Sequence, residues 1–182
     1  MGKNDIAVKQ WLSAKDRFAD LFNMLIFGGS TVVHPQDLED MEGEADIFVP
    51  DKAGGESGIK RYRDIVKRWG NTATFAVMAV ENQDKIHYAM PVRNMIYDGL
   101  AYTSQMNQIW EQRSENREKM SDAEFLSRFR KGDHLHPVIT AVLYYGTKPW
   151  DASLDIHGML RLDDSSGKFR RIKNISRTIG LI

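Results

Sequence analysis

Glu81 stands directly after the apolar run "FAVMAV" (75–80). A carboxylate there is costly unless it is solvated, paired or bound to a cation. Upstream lies a second run rich in Val, Ile and aromatics, "RDIVKRW" (63–69), and the Gly70-Asn71 between the two runs suits a hairpin. In such a hairpin the start of the first strand lies beside the end of the second, so Asp64 and Glu81 meet at one end. Carboxylates sharing a site repel each other, and a hard divalent cation removes the conflict while taking oxygen ligands. Magnesium suits one or two carboxylates, with its remaining positions left to water and phosphate. Such a centre can activate water and stabilise charge on a phosphodiester. The competing reading is two strand-end acids facing water.

Other residues extend the candidate site. Asp46 in "EADIFV" replaces Asp64 as the ligand if the strands are shifted. Arg93 and Tyr97 share a helix face at i and i+4, so Arg93 either holds a phosphate or forms an ion pair with Glu81 or Asp98. Charge is unevenly spread: "DLEDMEGEAD" (37–46) holds six acids, and "KRYRDIVKR" (60–68) holds five bases. The basic stretch reads either as a solvated face or as a strip that follows a phosphate backbone. On the second reading Lys60, Arg61, Arg63, Lys67, Arg68 and Arg93 supply charge without base readout, and binding to DNA weakens steeply with salt. Histidines 34, 87, 134, 136 and 157 lack metal-box spacing, and "HLH" opens a strand. Trp110 and Trp150 read as core or strand-end anchors.

The elements that position these residues follow from periodicity. Residues 5–24 repeat apolar positions at Ile6, Trp11, Leu12, Phe18, Leu21 and Phe22, which predicts one helix ended by "FGGS". "STVVHPQDLEDM" reads as an extended piece turning into a polar connector, "ADIFVPD" as a first strand, and "DKAGGESG" as a Gly-rich turn. The hairpin strands come next. After Pro91, Val92, Met95, Ile96, Leu100, Met106, Ile109 and Trp110 fall three or four apart, predicting a long helix with one buried stripe. In "EQRSENREKMSDAEF" Ser121 is a candidate N-cap for a short helix through Phe129. "HPVITAVLYYG" is continuous enough to be a central strand. The order helix, three strands, long helix, strand predicts an α+β layered fold, a mixed central sheet flanked by helices.

The composition allows such a fold and narrows the functions. A chain of 182 residues suits one domain able to bury roughly 70% of its unfolded surface. Hydrophobic residues make up 42% and charged residues 27%, as in a globular protein. The absence of cysteine excludes disulfides, thiolate metal sites and a Cys nucleophile, and fits a reducing compartment. No signal-peptide core or membrane-length run is present, so the expected location is cytoplasmic. A formal net charge of zero argues against a strongly basic nucleic-acid coat. A sugar- or nucleotide-binding domain is set aside, because "GGES" does not follow a strand as a phosphate cradle requires.

"RDIVKRW" followed by "AVENQ", "MPVRNMIYDGLAY" and "PVITAVLYYGTKPWD" resembles the recombination-promoting nuclease (Rpn) and transposase-related family of the PD-(D/E)XK nuclease superfamily, from about Arg17 to Asp151. The resemblance implies a restriction-endonuclease-like core over residues 1–164. It also implies a metal-dependent DNA endonuclease linked to recombination or mobile elements. Asp64 and Glu81 would be its catalytic acids, with the backbone carbonyl of Asn82 near the metal. The superfamily often has Lys two residues after this Glu, where this chain has Gln83, a residue common in the family. A Lys can help deprotonate the attacking water, whereas a neutral amide only hydrogen-bonds, so slow or conditional activity is expected. The alternative is a weak or inactive DNA-binding or assembly module with the same fold. A first-helix acid would be Asp16 or Asp20, of which Asp20 in "RFADLFN" has the more family-like surroundings. Cutting both strands would be easiest for a homodimer.

The tail, "KFRRIKNISRTIGLI" (168–182), does not resemble the end of the family pattern. With one choice of codons, Lys173 to Ile182 read in a second frame gives Lys-Tyr-Ile-Pro-Asp-Tyr-Arg-Ile-Asn, the segment with which relatives continue. A frameshift shortly before Lys173 would make residues 165–182 an atypical tail that was not selected to pack.

Overall fold

The computed structural model describes residues 3–41, 44–50, 56–70, 74–116 and 118–161, so the expectation for the tail lies outside the described residues. Where one helix is expected over 5–24 there are two, α1 (Lys3–Ser13) and α2 (Lys15–Phe27), broken at the extended Ala14. The break has a chemical cause. The Ser13 carbonyl, one of the orphan acceptors at the end of α1, takes a hydrogen bond from Lys67 Nζ at 2.8 Å. Gly28 closes α2 at φ 60, a left-handed cap that glycine adopts without a Cβ penalty.

Six strands follow. β1 (Leu38–Met41) was expected to be connector, and it forms a strand because its pairing rests on charge. Glu39 and Asp40 lie opposite Arg68 and Lys67 and form ion pairs with them, so only Leu38 needs burial. β2 (Glu44–Pro50) includes the expected first strand and pairs antiparallel with β3 (Glu56–Tyr62) in a separate ribbon. β3 takes in residues read as turn from sequence. β4 (Ile65–Gly70) and β5 (Thr74–Gln83) form the expected antiparallel pair, and β5 runs parallel to β6 (Val138–Tyr144). The four-stranded order is β1-β4-β5-β6, a mixed sheet with helices on its faces, which is an α+β fold.

Among the described residues β6 is therefore an edge strand and not the central one its sequence predicts. Its apolar run reflects cover on both faces. Ala141, with Ile139 and Leu143, joins the core built by Phe18 and Phe22 of α2, while Val138 packs with Val66, Val77 and Ala79 on the other side. At its end Gly146 lies against Tyr144 so closely that a Cβ would fall 2.3 Å from the phenol oxygen.

α3 (Met90–Glu115) starts at the expected Met-Pro; Val92, Leu100, Met106, Ile109 and Trp110 of the expected stripe are half-buried, but the buried face of its first turns is a different one. Met95 and Ile96 are exposed, whereas Met90, Pro91, Asn94 and Tyr97 are buried. Polar bonds to the sheet set this rotation: Thr140 and Arg63 both reach Asp98, and Val138 N–H reaches the Tyr102 hydroxyl at 3.2 Å. α4 (Asp122–Ser127) carries a capping box between Ser121 and Glu124. It stops short of Phe129 because Arg128 turns left-handed at φ 55. No helix among the described residues is long and apolar enough to cross a membrane.

Candidate functional site

Strand alternation sorts β5 into two faces. Ala76, Met78 and Val80 point into the α1/α2 core, so Val77, Ala79 and Glu81 point to the α3 side. The register pairs Ile65 with Val80, and one further step sets Asp64 opposite Glu81 at the mouth of the hairpin. Asp64 Oδ2 accepts the backbone N–H of Asn82 at 2.9 Å, which ties its carboxylate to the end of β5.

Glu81 is 0% exposed, and neither of its carboxylate oxygens has a hydrogen-bond partner among the described residues. The nearest cation among the described residues is Arg93, whose Nη2 lies 3.3 Å from Oε2. Burial pushes the Glu81 carboxyl up from 4.5 to about 7. Arg93 and Arg63 oppose that rise, while Asp64 and Asp98 add to it. A group in this state is short of positive charge.

Around the acid pair, α3 supplies Arg93, Asn94, Tyr97 and Asp98 from its first two turns. Arg63 is buried and donates to Asp98 Oδ1 at 2.5 Å, and Thr140 donates to the same oxygen at 2.7 Å. Both guanidiniums lie against the Tyr97 ring, at 5.3 Å for Arg63 and 5.5 Å for Arg93. Arg63 Nε and Nη1, both amide atoms of Asn94 and those of Asn82 are buried without partners among the described residues. Gln83 is two residues beyond Glu81, so alternation puts it on the same face, and its carbonyl accepts from Tyr145 N–H at 3.0 Å.

The other expected residues lie elsewhere. The strand next to β5 is β4, which carries Asp64; β2, which carries Asp46, pairs with β3 and sets Asp46 opposite Lys60. The side chains of Asp46, Lys60 and Arg61 lie outside the described residues. Asp16 and Asp20 are exposed on α2, whose buried side packs on the opposite face of the sheet from Glu81. Of the basic stretch 60–68, two of the described basic side chains turn inward. Lys67 is fully buried and points beneath α1 because strand alternation turns it to the apolar face, while Arg63 is drawn inward by Asp98. Arg68 stays at the surface, bound to Glu39.

Asn94 and Thr140 were not singled out in the sequence, although Asn94, Tyr97 and Asp98 recur at i, i+3 and i+4 and would have marked a polar helix face. No group of three or more Asp, Glu, His or Cys side chains converges among the described residues. A cation here would rest on two carboxylates and a backbone carbonyl, which magnesium accepts with water and phosphate completing its shell. The orphaned oxygens of Glu81 fit that role. Compared with protein-family models, curated proteins and solved structures, the chain matches none of them.

Proposed function

We propose that this chain is a magnesium-dependent DNA endonuclease that hydrolyses phosphodiester bonds. The observation that carries the reading is the fully buried Glu81 carboxylate, without hydrogen bonds among the described residues and placed opposite Asp64 beside two arginines. A purely structural ion pair would be expected to satisfy its buried oxygens. The order of a helix pair, antiparallel strands bearing the acids, a long helix and a parallel strand also supports a restriction-endonuclease-like core and the Rpn resemblance.

In this reading Asp64, Glu81 and the Asn82 carbonyl would hold the cation, which when bound would supply water activation and charge neutralisation at the phosphate. Gln83 orients the attacking water through its amide but cannot remove a proton, so turnover is slow. Arg93 and Arg63 bring positive charge to the phosphate side. The natural setting is a reducing cytoplasm, with DNA recombination or mobile elements as the context and a homodimer as the form that cuts both strands.

Nicking of supercoiled plasmid in MgCl2 tests the proposal. Wild type should nick, and Glu81→Ala or Asp64→Ala should slow nicking by roughly a thousandfold, the scale of losing a centre that stabilises charge in the transition state. Plasmid that is bound but nicked equally slowly by wild type and Glu81→Ala would favour the non-catalytic DNA-binding module suggested by Gln83.

A further inference from the structure

The two arginines beside Glu81 are held in different ways. The Arg63 side chain is 5% exposed and gripped by Asp98 at 2.5 Å, and Asp98 is itself held by Thr140. The Arg93 side chain is 33% exposed and reaches Glu81 at 3.3 Å without making a hydrogen bond to either oxygen. One guanidinium is fixed and the other is free to leave. The Tyr97 ring, 5.5 Å from the Arg93 guanidinium carbon, offers a surface along which that guanidinium can move without losing all its contacts.

We propose that Arg93 and a divalent cation are alternative partners of Glu81, and that Arg93, once displaced, becomes the contact for a backbone phosphate of the nucleic acid. The inference rests on the metal-centre reading above and adds an exchange to it. A buried carboxylate left unpaired is strongly destabilising, so the metal-free site needs a resident cation. A dication bound to the same oxygens repels a guanidinium a few ångströms away. Arg93 lies in the first turn of α3, a 26-residue helix whose N-cap, Ala89, makes no side-chain cap bond. The displaced guanidinium would then meet the anion at that helix terminus, where the helix dipole also favours negative charge. Phosphate that captures Arg93 removes the competitor for Glu81, so metal and nucleic acid each strengthen the other's binding by the same factor.

Isothermal titration of the full chain with MnCl2 alone tests the exchange. Arg93→Gln should bind Mn2+ about fivefold more tightly than wild type, the upper range for a partly exposed ion pair. Glu81→Ala should abolish binding. At saturating Mn2+, Arg93→Gln should hold a short DNA duplex several-fold more weakly, so the two affinities move in opposite directions. Should Arg93→Gln lose its native circular dichroism, Arg93→Lys replaces it, with tightening of about twofold expected because a point charge makes a less fitting partner. An Arg93 variant that binds Mn2+ no more tightly than wild type, while Glu81→Ala abolishes binding, overturns the exchange and leaves the metal centre standing. Wild type that takes up no Mn2+, or Glu81→Ala that binds like wild type, overturns both.

Discussion

On the α1/α2 face of the sheet, Lys67 and Asn23 are buried and have their partners; on the α3 face, Glu81, Asn94 and Arg63 are buried with nitrogens and oxygens that have no hydrogen-bond partner among the described residues. Lys67 donates to the Ser13 carbonyl and to Asp40. Asn23 spends its amide on Val33 O at 2.9 Å, Val32 N–H at 3.0 Å and Val33 N–H at 2.8 Å, tying α2 to the segment before β1. These polar groups are part of the packing. The unpartnered groups on the other face cost stability, since each buried orphan is unfavourable by about 1–3 kcal/mol. Apart from the Asn82 amide, which alternation turns to the α1/α2 side at the end of β5, the chain meets the needs of one face and leaves the polar groups of the other without partners among the described residues. The difference separates a core from a site without reference to any relative.

Asp98→Ala leaves Arg63 buried without its counterion and should lower stability by about 3–5 kcal/mol in urea denaturation. A loss below about 1 kcal/mol would mean that Arg63 is not held as described. A matched pair of substitutions then contrasts the faces directly. Asn23→Leu strands three backbone groups and should cost about 3 kcal/mol, while Asn94→Leu, which removes an amide without partners among the described residues, should be neutral or stabilising. Equal losses at the two positions would erase the distinction between the faces.

Charge sharpens the contrast further. The Glu81 carboxyl is raised from 4.5 to about 7, so its stabilising contribution is complete below pH 4.5 and disappears as pH rises through about 7. Glu81→Gln should accordingly gain on the order of 2 kcal/mol over metal-free wild type at pH 8 and nothing at pH 4. A variant less stable than wild type at pH 8 would mean that the ionised carboxylate is well paired after all. The smallest effect is expected at Thr140→Val, which removes one of two bonds to Asp98 and should cost about 1 kcal/mol.

Much of this arrangement is legible in the residues, and the failures have physical reasons. The hairpin that joins Asp64 to Glu81 follows from two β-rich runs around Gly70-Asn71, and α3 from its Met-Pro start. Reading only apolar residues misdirected the face of α3, because Asn94, Tyr97 and Asp98 face the sheet and Met95 and Ile96 face water. β1 was invisible to a hydrophobic pattern because cross-strand ion pairs hold it. β6 looked central because helices cover both its sides, which an apolar run cannot distinguish from flanking strands. The basic run 60–68 could not reveal that Lys67 turns inward, since that depends on which face α1 covers.

The central claim is that the α3 face is a cation site, and thermal unfolding with and without magnesium tests it most directly. Binding to the native state at a hundred times Kd contributes about 2.7 kcal/mol, which for a domain of this size raises Tm by roughly 5–10 °C. Wild type should show that rise in MgCl2 over EDTA, and Glu81→Gln, already more stable at pH 8, should show none. A wild-type Tm indifferent to magnesium, or an equal rise in Glu81→Gln, would contradict the account.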